Sequence, residues 1–207
     1  MICKREDIIS NIIDIGVLLR HRNYSPGYSG NISARFGENI IITTSGSSNG
    51  FLKHEDFAEI DFDGNSLNGK KPSSEKKLHI EFYKLRPDVD FIIHVHPACL
   101  CAFASAHKDL TEPIMAENVF YFGGIPLAEY GLPSSDDLVT KTAKYFKDYD
   151  TILMANHGVI IGSATLNDAY QKLELAEEYA RTVIYSNIIG KPQKLSQSQA
   201  EAILKLR

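Results

Sequence analysis

The chain has 207 residues, of which 43% are hydrophobic and 23% charged, with a formal net charge of −4. That balance suits a soluble globular protein folding as a single domain over residues 1–207, and the lack of a basic run excludes the electrostatic footprint of a nucleic-acid binder. No stretch approaches the roughly 18 apolar residues of a membrane span, and Cys3, Cys99 and Cys101 lack any framework spacing, so a reducing, cytoplasmic setting without membrane partners is expected.

The segment Met1-Ile2-Cys3-Lys4-Arg5 sets basic residues ahead of an apolar stretch, but Glu6, Asp7 and Asp14 interrupt it, as in a helix rather than a signal peptide. Ile8, Ile12, Ile15 and Leu19 recur at helical spacing and predict an amphipathic helix over 6–21. Pro26, Gly27 and Gly30 mark a loop. Ile32–Phe36 and Asn39–Thr44 read as a hairpin turning at Gly37-Glu38, and Phe57–Phe62 as a strand closed by Asp63-Gly64. A helix is expected from Ser74 to Arg86, ended by Pro87, then a strand over 91–96 and a short helix over Ala98–Ala106. Residues 107–133 hold short pieces, with a strand at Ile125–Ala128. Ser134 or Ser135 caps a helix running to about Asp148. Strands at Thr151–Ala155 and Val159–Gly162 precede a long helix over 166–189, with Ala169, Leu173, Ala176, Ala180 and Val183 inward, and one short helix follows in the tail. Hairpins mixed with helical connections predict an α/β fold of α+β character, a mostly antiparallel central sheet flanked by helices.

The chemistry concentrates in Phe91-Ile92-Ile93-His94-Val95-His96-Pro97. Side chains alternate faces along a strand, so His94 and His96 point the same way. A lone histidine in an apolar run is more often a hydrogen-bonded core residue than a ligand, but two on one face form half of a metal site. His157, in Asn156-His157-Gly158, ends another apolar run and supplies a third candidate. Three imidazoles with a position left open describe a catalytic zinc better than a structural one, and manganese or cobalt could use the same ligands. Cys99 and Cys101 follow closely behind His96 but suit a packed core better than a ligand cluster. Ser73-Ser74-Glu75 opens a helix, where N–H groups and hydroxyls can receive an anion or simply cap the turn. Ser29-Gly30-Asn31 and Thr43-Thr44-Ser45-Gly46-Ser47-Ser48 have the composition of an anion cradle, although turn chemistry explains each separately.

Gly30-Asn31-Ile32-Ser33, Thr43-Thr44-Ser45-Gly46, Ser73-Ser74-Glu75, His94-Val95-His96 and Asn156-His157-Gly158 occur in one order. Together they resemble the class II aldolase/adducin family, near its fuculose-phosphate aldolase members, over about residues 6–185. The resemblance implies that His94, His96 and His157 hold zinc, and that Glu75 acts as acid/base and can also touch the metal. It implies that Gly30 and Asn31, Ser45 and Gly46, and Ser73 and Ser74 bind a phosphate. It further implies a homotetramer with sites between adjacent subunits, cleaving a ketose 1-phosphate to dihydroxyacetone phosphate and a short aldehyde through a zinc-stabilised enediolate. Dehydration of methylthioribulose 1-phosphate and 4-epimerisation of ribulose 5-phosphate are the alternatives on the same scaffold, and the non-catalytic adducin head is disfavoured because it lacks the metal histidines.

Three features depart from that pattern, the first being Ser45, which replaces a commoner threonine but keeps the hydroxyl. Six residues before Gly123-Gly124 the resemblance expects a tyrosine, and this chain has Glu117. The tail after Tyr185 supplies no tyrosine. Glu117 is then either a solvated loop carboxylate or a second acid/base group.

Overall fold

The structure, a computed structural model, describes residues 4–206. Seven strands form one sheet in the order β3-β2-β1-β4-β7-β6-β5. The strands are β1 Asn31–Phe36, β2 Asn39–Thr43, β3 Phe57–Ile60, β4 Phe91–Val95, β5 Leu127–Ala128, β6 Thr151–Met154 and β7 Gly158–Ser163. All pairings are antiparallel except β5 with β6. The helices are α1 Arg5–His21, α2 Lys76–Leu85, α3 Ala98–Ser105, α4 Ala116–Phe122, α5 Asp136–Ala143, α6 Leu166–Ile189 and α7 Gln197–Leu204. The expected mostly antiparallel sheet between helices is therefore what the chain forms.

Strand alternation sorts the core into two layers. Ile32, Ala34, Ile41, Ile93, Val95, Leu153, Val159 and Ile161 face α1, α3 and α6. Ile40, Ile42, Ile92, Ile152, Met154 and Ile160 face α2 and α5. Each fully buried Ile or Leu contributes about 1.5–3 kcal/mol, so a one-residue slip of any central strand would forfeit several such terms at once. This pins the register that sets Asn31 opposite His94, and Val95 opposite Val159. No helix of the described residues is long and apolar enough to cross a membrane.

Several boundaries differ from expectation. β3 ends at Ile60 because the Asp61 carboxylate accepts from the N–H groups of Asp63 and Asn65, a local turn that competes with the ladder. Helix α5 stops at Ala143 rather than near Asp148, where the following turns bring Phe146 onto Phe82 with ring centroids 4.2 Å apart. Ser135, not Ser134, caps it, accepting from the Leu138 N–H. Residues 116–122, within a stretch expected to hold only short pieces, form helix α4. Helix α2 begins at Lys76 with Glu75 as its N-cap residue, so Ser73 and Ser74 lie in the preceding turn.

Candidate metal centre and its cavity

The site forms at one end of the sheet, where β4 finishes, β1 starts and β6 turns into β7. His94 is the fourth residue of β4 and fully buried on the α2 side. His96 lies just past the strand, because the residue before Pro97 leaves the ladder and donates its N–H to the Tyr24 carbonyl at 3.0 Å. Its ring still returns to the His94 side, as the two-residue spacing requires. His157 sits in the three-residue connection between Met154 and Gly158, which are paired, with Asn156 in the left-handed region at φ 54°. Gly158 is needed there, because a β-carbon would run into the His96 ring and stand 2.7 Å from the Val95 carbonyl.

The three imidazoles converge. Their candidate ligand atoms all lie within 4.8 Å of one another, and Nε2 of His94 is 3.1 Å from Nε2 of His96. Two nitrogens bound tetrahedrally to one ion at 2.0–2.1 Å would stand about 3.3 Å apart, so the observed spacing fits a shared cation. His94 Nδ1 donates to the Val159 carbonyl at 2.9 Å, which fixes its tautomer and turns the Nε2 lone pair inward. Glu75 completes the group. Its Oε2 lies 3.1 Å from His94 Nε2 and accepts from Asn31 Nδ2 at 3.0 Å, and its Oε1 lies 3.3 Å from His157 Nε2. That Oε1 is buried with no aligned hydrogen-bond partner. A polar atom rarely stays so in a finished site, so this oxygen also fits a cation nearby.

The electrostatics follow from burial among mutually charged groups. Desolvation pushes the Glu75 carboxyl up, but His94, His157 and the Asn31 amide outweigh it and hold it well below the usual carboxylate range. Desolvation opposes charge on His94, yet the Glu75 carboxylate and the Val159 carbonyl raise its pKa. Burial and the neighbouring His94 lower His96 to about 3 and His157 to about 4. Two imidazoles are thus neutral and ligand-ready at neutral pH, beside a His94 whose hold on a proton the Glu75 carboxylate strengthens.

Above this floor opens a cavity of about 230 Å³. Gly30, Asn31, Ser45, Gly46, Ser73, Ser74, Glu75, His96 and His157 all line it. Gly30 brings the chain against β4: at φ 79°, its β-carbon would stand 2.5 Å from the His94 carbonyl. The N–H groups of Ser45 and Ser73 are already engaged by the carbonyls of Lys71 and Thr43, so these serines offer hydroxyls rather than amides. Among the described residues, no Lys or Arg lines the cavity. Tyr28 and Ser134 line it as well. Sequence reasoning missed both. Ser134, at φ 66°, carries no motif of its own.

Other candidates lie elsewhere. Glu117 is exposed in the first turn of α4 and does not line the cavity. Cys101 donates weakly to the His157 carbonyl at 3.7 Å, and burial raises its thiol to about 11. Neither Cys99 nor Cys101 joins the histidine cluster.

Residues 10–184 match the family model "Class II Aldolase and Adducin N-terminal domain". The chain belongs to the class II aldolase and adducin family. This class II aldolase-family chain is 38% identical over 173 residues to the L-fuculose phosphate aldolase of Methanocaldococcus jannaschii, covering 84% of this chain and 93% of that protein. It is 31% identical over 175 residues to the 3-oxo-tetronate 4-phosphate decarboxylase of Haemophilus influenzae, covering 82% and 83%. Its fold superposes on a solved L-fuculose 1-phosphate aldolase with a TM-score of 0.92 at 26% identity, over 99% of this chain and 97% of that one. Relatives bearing these two activities break different bonds.

Proposed function

We propose that the protein is a metal-dependent aldolase that cleaves a ketose 1-phosphate, of the L-fuculose 1-phosphate type, to dihydroxyacetone phosphate and a short aldehyde. The observation that carries this reading is the Glu75 carboxylate lying against the three-histidine cluster at the floor of a cavity walled by hydroxyls. His94, His96 and His157 would hold the ion, zinc by preference, with Glu75 within reach of the resting site. A divalent cation there supplies Lewis-acid stabilisation of the negative charge that develops when a bond beside a ketone breaks.

The remaining work falls to the chain itself. Gly30 and Asn31, Ser45 and Gly46, and Ser73 and Ser74 receive the phosphate, chiefly through neutral donors, and so hold the far end of the substrate in register with the reacting carbons. Cleavage requires a proton to leave the hydroxyl that becomes the aldehyde and another to reach the carbon left behind. Glu75 Oε1, buried and without an aligned partner, would accept the first and return it as the second, so that the cleavage consumes no net proton. The resemblance to the family supports a homotetramer with sites at subunit interfaces.

A second reading is decarboxylation of a phosphorylated 3-oxo acid, favoured by the similarity to the Haemophilus influenzae decarboxylase. Loss of carbon dioxide beside a ketone leaves the same charge on the same atoms, so the site would need only a different group on the breaking bond. Incubation of zinc-loaded protein with L-fuculose 1-phosphate, 3-oxo-tetronate 4-phosphate, methylthioribulose 1-phosphate and ribulose 5-phosphate separates the readings by product. Aldehyde release from the first supports the aldolase. Carbon dioxide from the second, with no aldehyde from the first, replaces it.

A further inference from the structure

Behind the cavity floor, five buried polar side chains alternate between helix and strand in the order Tyr83, Ser33, His79, Asn31, Glu75. Their exposures are 1%, 0%, 0%, 5% and 8%. Glu75, His79 and Tyr83 recur every four residues, about 6 Å along a helix. Asn31 and Ser33 recur every two, about 6.7 Å along a strand. The two repeats nearly match, so the side chains interleave. Tyr83 Oη lies 2.8 Å from Ser33 Oγ, Ser33 Oγ 2.7 Å from His79 Nδ1, and His79 Nε2 2.5 Å from Asn31 Oδ1. Asn31 Nδ2 then reaches Glu75 Oε2 at 3.0 Å.

The direction of every proton in this chain is determined. An ionised carboxylate only accepts, so Asn31 turns its N–H₂ toward Glu75 and its carbonyl oxygen toward His79. That oxygen also only accepts, so His79 carries its proton on Nε2. Nδ1 must then accept from Ser33, and Ser33 Oγ takes the Tyr83 hydroxyl proton. Burial lowers His79 to about 3, so the imidazole is neutral throughout the working range, as this arrangement requires. An amide flipped end for end would set its oxygen against the carboxylate and leave a buried N–H₂ facing an N–H.

We infer that His79 is a positioning residue, whose Nε2–H locks the Asn31 amide in the one orientation that aims the Glu75 carboxylate at the histidine cluster and leaves the second amide hydrogen of Asn31 to the substrate. The functional half of this inference rests on Glu75 moving a proton as proposed above. The orientational half does not.

The test has two arms. In ¹⁵N-histidine NMR of the full chain, His79 should appear as the neutral Nε2–H tautomer and remain so at pH 5. An Nδ1–H tautomer, or an imidazolium at pH 6, would overturn the inference. In the second arm, His79→Gln keeps an N–H near the Nε2 position, whereas His79→Asn keeps a partner for Ser33 but none for Asn31. On the sugar phosphate that the wild type turns over, His79→Asn should lower kcat about 10- to 100-fold and raise KM as the Asn31 amide is lost to the substrate, and His79→Gln should recover most of both. Wild-type kcat in His79→Asn, or equal kcat losses in both variants, sinks the positioning role. If the wild type turns over no sugar phosphate, the proposed function fails, and the Asn31 side-chain amide resonance decides the inference instead. It should shift in His79→Asn and return in His79→Gln, and an unmoved resonance would refute the lock.

Discussion

Glu75 Oε2 lies 3.1 Å from His94 Nε2, so a carboxylate at the head of α2 meets an imidazole at the end of β4 across the boundary between helix layer and sheet. Glu75 is tied to the strand side again through Asn31. The proposed acid/base carboxylate and the candidate metal ligands are therefore one packed unit, which makes their roles separable only by substitution.

Glu75→Gln keeps the shape and removes the charge. The three imidazoles are untouched, so zinc should stay bound while turnover falls by about 10²–10⁴, the range for loss of a positioned general acid–base. Metal content and kcat measured on the same sample check this, and undiminished turnover would remove Glu75 from the mechanism.

His157→Ala deletes one ligand of the cluster and leaves a position that water can fill. Zinc affinity should drop by at least about 10-fold, the loss that even an outer-shell change can produce. Competition with a chromophoric chelator reads it directly. Unchanged affinity would place the ion elsewhere.

Gly158→Ala inserts a methyl group against the His96 ring and the Val95 carbonyl. Overpacking of this kind costs about 1–3 kcal/mol, and the displaced His96 should alter the absorption spectrum of the cobalt-substituted protein. A wild-type spectrum with wild-type stability would mean that the turn has room the geometry denies.

Glu177, only 2% exposed on α6, accepts from the N–H groups of Cys99 and Leu100 at 2.9 Å each. It thereby caps α3 from a distance, immediately behind His96. Glu177→Ala leaves two donors at the helix start without that partner and should lower stability by about 1–3 kcal/mol. Urea unfolding compared with Glu177→Gln, which keeps one acceptor oxygen and should lose less, provides the check.

Acid should destabilise the metal-free protein. His79 and His96 are depressed to about 3 and His157 to about 4 in the folded state, against about 6.5 when unfolded. Below pH 6.5 the unfolded chain binds protons that the folded one refuses, so stability falls with falling pH, by up to about 1.4 kcal/mol per unit for each such group. The raised pKa of His94 acts in the opposite sense but is one group against three. Urea midpoints in chelator at pH 7, 6 and 5 should decrease in that order; a flat or rising series contradicts the burial of neutral imidazoles.

The strongest periodicities were legible from sequence. Helix α6 spans Leu166–Ile189 as expected, with Ala169, Leu173, Ala176, Ala180 and Val183 buried, because five small or branched residues repeat along one stripe. The period of two at His94 and His96 anticipated their convergence, and five short motifs anticipated which loops would meet. Helix α4 was not legible, since Ala116–Phe122 is too short to display a repeat. His79 was equally hidden: it shares a helix face with Glu75 and Tyr83, but only the opposing strand reveals that the face is polar. Departures at Glu117 were visible in the sequence, whereas its exposure depended on how α4 packs.

The pairing of Asn31 with His94 has one more consequence. Gly30, beside Asn31, rests on the His94 carbonyl, so if Gly30 receives the phosphate and the histidines the ion, as proposed, the two are separated by a span that backbone ladder bonds set. The molecule carries a fixed ruler. Compounds that differ between those two marks should be rejected whatever surrounds them, and discrimination among those that fit is left to the rest of the lining, Tyr28 and Ser134 included, which can change without disturbing the measure.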